Sequence, residues 1–203
     1  MITALIDYGM GNLRSVSKAL EKVGIKPLIT SDPHIVSKAE AVVLPGVGAF
    51  KDAVQNLKKA GLFSAVIRHI EKGKPYLGIC LGLQLLFERS YEFGTEEGFG
   101  LLEGDVVLLP TTVKVPHIGW NQVWKKKDSR LFENIKDGDY FYFVHSYHVV
   151  PKKGEVIATL TDYGINFVSA VEYGNVFGVQ FHPEKSQKLG LKVLENFKKV
   201  VYG

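Results

Sequence analysis

Four short apolar runs, Ile2 to Ile6, Pro27 to Thr30, Ala41 to Leu44 and Tyr76 to Ile79, are separated by stretches whose apolar residues recur at helical spacing. This alternation constrains the fold more than any other feature. Strands that short can bury both faces only when helices cover them, and strand–helix–strand units of this length close right-handed onto a mostly parallel sheet. Leu13, Val16, Leu20 and Val23 make one helix face, which Gly24 ends. Ser31-Asp32-Pro33 reads as a cap with proline in the first helical turn. Val54, Leu57, Leu62, Phe63, Val66, Ile67 and Ile70 form one helix broken near Gly61, or two.

The fourth run leads into Gly78-Ile79-Cys80-Leu81-Gly82, with Leu81, Leu85 and Leu86 at helical spacing beyond it. Strand, sharp turn and helix follow in ten residues. Glycine on both sides of Cys80 permits a turn too tight for side chains, which thrusts the thiol outward as in the nucleophile elbow of hydrolases. A helix opening there places unpaired amides and the positive end of its dipole beside the sulfur, favouring thiolate, the nucleophilic form. The same helix would set Gln84 and Glu88 one turn apart on one side. A lone cysteine is also compatible with a small buried hydrophobe.

Two other glycine-rich turns follow strands. Asp7-Tyr8-Gly9-Met10-Gly11-Asn12 has the start of a dinucleotide fingerprint, but Arg14 stands where the third glycine should permit close helix packing. Pro45-Gly46-Val47-Gly48 either turns the chain or swings a backbone amide toward a ligand. Beyond Tyr91 to Gly100, a loop of acids and glycines, the texture changes. Segments at 106–109, 113–120, 140–144, 156–160, 167–171 and 176–181 are β-branched and aromatic and divided by turn signals, which predicts antiparallel strands extending the sheet. Leu189 to Val201 predicts a closing amphipathic helix. No linker or internal repeat divides the chain, so residues 1–203 are expected to form one domain.

Composition sets outer bounds. With 203 residues, 46% hydrophobic and 23% charged, the chain can bury a sizeable core. Its start lacks a basic region and a long apolar stretch, so a first strand is expected there and not a signal peptide. A single cysteine allows no internal disulfide and suits a reducing cytoplasm. The six histidines show no metal-ligand spacing. A formal charge of +4 is spread among interspersed acids, with Lys125-Lys126-Lys127 followed by Asp128, so neither nucleic acid nor a membrane surface is implied.

Gly178-Val179-Gln180-Phe181-His182-Pro183-Glu184 ends the last strand segment. Residues two apart in extended chain face one side, which directs His182 and Glu184 to one place with Pro183 stiffening the turn. With Cys80 they make a nucleophile, base and orienter in chain order.

At these residues the chain resembles the class I glutamine amidotransferases, which share Pro-Gly-Val-Gly, Gly-Ile-Cys-Leu-Gly-Leu-Gln and Gln-Phe-His-Pro-Glu in this order. Asp7 to Ser15, Pro116-His117-Ile118-Gly119-Trp120-Asn121, Tyr142 to Tyr147 and Lys185-Ser186 look like the glutaminase subunits of imidazole glycerol phosphate synthase. The resemblance implies a three-layer, flavodoxin-like α/β fold with a mostly parallel central sheet and added antiparallel strands. It implies hydrolysis of L-glutamine through a Cys80 thioester, with His182 as acid and base, Glu184 orienting it, and the oxyanion held by Leu81 and by the Gly46, Val47 or Gly48 backbone. It puts Gln84, Glu92, Ser146 and Tyr147 on the substrate, with Gly48 nearby, and calls for no cofactor. It further implies a (β/α)8-barrel cyclase partner that receives the ammonia, docking on Tyr8, Met10, Gly11, Asn12, His117, Trp120, Asn121 and Lys185. Two rivals stay open from sequence. One is the glutaminase of another synthase, such as that for anthranilate; the other is a flavodoxin-like redox sensor using Cys80, which would leave His182 and Glu184 idle.

Overall fold

The computed structural model describes residues 1–203. The first half runs β1 (Thr3–Ile6), α1 (Leu13–Lys22), β2 (Pro27–Thr30), α2 (Pro33–Lys38), β3 (Ala41–Leu44), α3 (Phe50–Lys59), α4 (Leu62–Glu71), β4 (Tyr76–Ile79), α5 (Leu81–Gln84) and β5 (Phe87–Ser90). The second half adds β6 (Glu96–Glu97), β7 (Leu102–Leu108), β8 (His117–Gln122), β9 (Trp124–Lys125), β10 (Tyr140–His145), β11 (Tyr147–Pro151), β12 (Ile157–Asp162), β13 (Asn166–Tyr173), β14 (Val176–Val179) and α6 (Gln187–Tyr202).

One large sheet has the order β2-β1-β3-β4-β14-β13-β11-β7-β5-β6. From β2 through β4 to β14 every pairing is parallel, and beyond β14 antiparallel pairings take over except for parallel β5–β7. Strand alternation divides the interior. Ala4, Ile6, Val42 and Leu44 enter one core with residues of α2, α3 and α4. Leu5, Ala41 and Val43 enter the other, with Val16 and Leu20 of α1 and Val193, Leu194 and Phe197 of α6. Helices thus cover both faces, giving the three layers of a doubly wound sheet. β8 and β10 form a separate antiparallel hairpin-like pair.

Local signals act as their chemistry requires. Asn12 Oδ1 accepts from the Ser15 amide at 3.2 Å, and Asp32 Oδ1 from the His34 amide at 2.8 Å, satisfying amides that the first helical turn leaves unpaired. Gly61 at φ +70° separates α3 from α4, so this stretch is two helices. The helix after Cys80 differs from expectation. It spans only four residues, because Leu85, Leu86 and Phe87 are all fully buried and the chain straightens into β5. Glu88 is therefore on a strand, away from Gln84, and accepts from the Gly104 amide and Lys152 Nζ, both at 2.8 Å. The expected strand at 113–120 begins at His117 instead, after Pro116, which has no amide to pair.

Candidate functional site

Parallel β3, β4 and β14 deliver three loops to one end of the sheet: Pro45–Gly48, the Cys80 elbow and Gln180–Ser186. Open α/β sheets bind ligands at the carboxyl ends of their strands. Cys80 sits at φ +55° and ψ −105°, a conformation that side chains rarely adopt. A Cβ on Gly82 would lie 1.9 Å from the Leu44 carbonyl oxygen, and one on Gly78 would lie 2.3 Å from that of Gly82. Backbone packs against backbone on both sides of Cys80, which is why both neighbours are glycine. With a single helical turn behind it, the dipole of α5 is slight, so charge on the sulfur depends on individual donors.

His182 Nδ1 lies 2.7 Å from Glu184 Oε1, and both side chains are 3% exposed. The intervening chain is a 3-10 turn, Pro183–Lys185, and not the extended segment expected from sequence. Ser186 holds this turn in place: its hydroxyl donates to the His182 carbonyl at 2.6 Å and accepts from the Tyr142 amide at 3.0 Å. The His182 amide in turn donates to the Tyr142 carbonyl at 2.9 Å. Burial by itself would lower the His182 pKa, but Cys80 and Glu184 outweigh it and raise the value to about 10. Buried Nε2 has no hydrogen-bond partner of normal geometry, so Cys80 acts on the ring as a neighbouring sulfur and not through a formed bond.

A cleft of about 420 Å³ opens at the sulfur, lined by Val47, Gly48, Cys80, Leu81, Gln84, Glu92, Tyr147 and neighbours. Gln84 Nε2 donates to the Tyr147 carbonyl at 3.1 Å and to Gln180 Oε1 at 3.2 Å, so its donors are committed and its carbonyl oxygen remains for the cleft. Glu92 Oε2 accepts from the Phe50 amide at 3.1 Å, which fixes it over the start of α3, where Ala49 supplies no side-chain cap. The Ser146 carbonyl accepts from the Leu109 amide at 2.9 Å.

The backbone amides expected to hold an oxyanion are not all free. The Leu81 amide, expected to be one of them, donates to the Gly46 carbonyl of the loop at 3.3 Å. Val47, 45% exposed, follows it. Tyr8 lies beneath this loop. Expected at a docking surface, it is 5% exposed, and its hydroxyl donates to the Pro45 carbonyl at 2.8 Å. Burial and Cys80 hold that phenol protonated far above its ordinary range. His117 is likewise 3% exposed and lies under the surface. Of the other residues expected there, Met10 and Gly11 are half-buried, Asn121 spends its amide on His117 Nε2 and the Asp162 carbonyl, and Asn12, Trp120 and Lys185 are exposed.

The buried histidines form a chain with defined tautomers. The Tyr147 carbonyl can only accept, so His145 Nδ1, 2.9 Å away, donates to it. His145 Nε2 then accepts from His117 Nδ1 at 2.9 Å, and His117 Nε2 from Asn121 at 3.3 Å. Burial pushes His117 down to about 4 and His145 down to about 3. Neutral in the folded protein, these groups cost nothing above the unfolded histidine value of roughly 6.5, and below it the unfolded chain binds protons that the folded one refuses. Urea unfolding is expected to show stability declining as pH falls from about 6.5 toward 4. A midpoint constant over that window would contradict this.

Three residues that shape the site, Gln180, Ser186 and His145, lie within the quoted motifs but have no role assigned from sequence. Gln180 carried a usable signal, since it lies two residues before His182 just beyond β14 while Phe181 between them packs into the core against Phe141.

The class I glutamine amidotransferase family model matches residues 4–200. The imidazole glycerol phosphate synthase subunit HisH of Aquifex aeolicus is 62% identical over 98% of this chain and 97% of its own. That of Pyrococcus furiosus is 54% identical over 97% of this chain and 98% of its own. Among solved structures, one described as a glutamine amidotransferase superposes with TM-score 0.75 at 18% identity, covering 99% of both chains. A chain of PurLQS from Thermotoga maritima gives 0.73 at 22%, covering 98% of this chain and 97% of that one. These distant likenesses concern the fold, whereas the family match and the near-full-length relatives concern descent. The chain belongs to the class I glutamine amidotransferases, in the branch of the HisH subunits of imidazole glycerol phosphate synthase.

Proposed function

We propose that this chain is the glutaminase subunit of an imidazole glycerol phosphate synthase, with Cys80, His182 and Glu184 as its catalytic triad and residues 1–203 acting as one domain. L-Glutamine enters the cleft with its α-ammonium and carboxylate toward Gln84, Glu92 and the Ser146–Tyr147 backbone. Cys80 attacks the side-chain amide carbon, His182 protonates the departing ammonia, and the thioester is hydrolysed by water that His182 activates. Glu184 holds the ring in the tautomer that aims Nε2 at the sulfur. Turning the Gly46–Val47 peptide would release the Leu81 amide and bring a second amide inward, completing the oxyanion hole.

The observation that carries this reading is the buried 2.7 Å His182–Glu184 pair, whose other ring nitrogen has no hydrogen-bond partner in the chain and whose pKa the elbow cysteine raises. Acid quench during turnover, followed by peptide mass spectrometry, is expected to find a glutamyl adduct on the Cys80 peptide. An adduct on another residue would overturn the assignment.

Ammonia released into water would protonate and escape, so the product calls for a recipient docked at this end of the sheet. That partner is a (β/α)8-barrel cyclase, which joins ammonia to a phosphoribosyl-carboxamide nucleotide. The products are imidazole glycerol phosphate and an aminoimidazole carboxamide ribotide. The reduced thiol that the chemistry needs suits the cytoplasm. Ile118, Trp120 and Tyr140, 60%, 47% and 52% exposed on the β8–β10 pair, are apolar groups a partner would cover. Replacing Trp120 by Ala is expected to weaken the complex by roughly 10-fold or more, as for a buried aromatic anchor. Titration calorimetry giving an unchanged Kd would remove Trp120 from the interface.

A further inference from the structure

We infer that Gln180 is a fourth catalytic group, a fixed hydrogen-bond donor to the Cys80 sulfur that stabilises negative charge there; this rests on the glutaminase reading above. Gln180 Nε2 lies 3.5 Å from Sγ. The side chain is fully buried, and its own amide is pinned to the Ser169 carbonyl at 2.8 Å.

Which end of the Gln180 amide meets the sulfur follows from the neighbouring groups. The Tyr147 carbonyl can only accept, so the Gln84 group 3.1 Å from it must be the NH2. The second hydrogen of that NH2 points to the Gln180 amide at 3.2 Å, which must present oxygen there. Its remaining end, toward Cys80, is therefore N–H. A backbone carbonyl thus orders two buried side-chain amides and fixes a donor on the nucleophile.

The energetics favour a charged sulfur as the recipient. A neutral thiol is a weak acceptor and repays little of the cost of burying an amide. A thiolate makes a charge-assisted bond about twice as strong as a neutral one. The Val144 carbonyl oxygen, 3.8 Å from the sulfur, can accept from a thiol but repels a thiolate. Since α5 offers only one turn, Gln180 supplies what a longer helix would have given the sulfur.

Gln180→Glu separates this role from packing, because it keeps the side-chain shape and an oxygen for Gln84 while replacing the donor with a carboxyl oxygen that also brings charge beside the sulfur. Iodoacetamide alkylation of Cys80 in the folded chain at pH 7 is expected to slow by about 10- to 100-fold, from the loss of one hydrogen bond to a charged group together with the charge the new carboxyl group adds, and to recover at higher pH. Glutamate release by the complex should fall comparably in kcat, with KM for glutamine within about 3-fold, since ground-state binding is untouched. Gln180→Met, which removes the donor without adding charge, should show a smaller change in the same direction, and thermal melting verifies that each variant is folded. Wild-type alkylation profiles in folded variants would overturn the inference, as would a raised KM with unchanged alkylation, which would make Gln180 only a support for Gln84. If wild-type complex released no glutamate, the glutaminase reading would fail, whereas the alkylation comparison would still decide whether Gln180 acts on the sulfur.

Discussion

Cys80→Ala is expected to lower glutamine-dependent glutamate release by the complex at least ~10⁴-fold while leaving product formation from added ammonia intact. In the proposed mechanism no thioester can form without the sulfur, which leaves His182 and the oxyanion donors nothing to act on. The fold should survive, because alanine keeps the Cβ at φ +55° and removes one atom at the floor of a cleft. Ammonia supplied in solution bypasses this chain, so a folded complex that also lost ammonia-dependent synthesis would contradict separate active sites. Residual glutamate release near the wild-type rate would instead remove Cys80 from the chemistry.

The largest structural effect is expected from Gly82→Ala. The new Cβ would lie 1.9 Å from the Leu44 carbonyl oxygen, and that obstacle is backbone within the central sheet and cannot rotate aside. Relieving it means parting α5 from β3, so a loss of about 3 kcal/mol or more, or failure to fold, is expected. Gly154→Ala is the control. Nothing lies within 4 Å of its added Cβ and its backbone is not left-handed, so urea unfolding should move by less than about 0.5 kcal/mol. Gly82→Ala with wild-type stability would mean that the elbow is not packed as described.

Much of this architecture was legible because the sequence carries it in local patterns. Ala41 to Leu44 and Tyr76 to Ile79 are apolar on both faces because both are buried, and Asn12 and Asp32 announce their helices through side-chain caps. Gly78 and Gly82 bracket Cys80 because backbone leaves no room for a Cβ.

What escaped was set by tertiary contact. Leu85, Leu86 and Phe87 read equally well as the face of a helix or as a chain buried on all sides, and the second is what forms. Tyr8 and His117 are polar-tipped aromatics in a region expected to dock a partner. Their burial depends on the Pro45 carbonyl and on His145, neither of which is adjacent in sequence. The bond between the Leu81 amide and the Gly46 carbonyl is a state of the backbone, to which side-chain identity is silent except that Gly46 permits it. Gln180 was hidden differently, because a buried amide acquires a function only through the direction in which its neighbours turn it.

In the proposed mechanism the Cys80 nucleophile is held ready while the oxyanion donors are not. Tyr8 fixes the peptide before Gly46, and the Gly46 carbonyl occupies the Leu81 amide, so the chain alone should stabilise the tetrahedral intermediate poorly. Losing one such donor costs about 3 kcal/mol, roughly 100-fold in rate. The most direct test is glutamate release from L-glutamine by the isolated chain, by its complex with the cyclase, and by that complex with its nucleotide bound. A rate at least about 100-fold higher in the nucleotide-bound complex than in the isolated chain is expected. Full activity in the isolated chain would contradict the account.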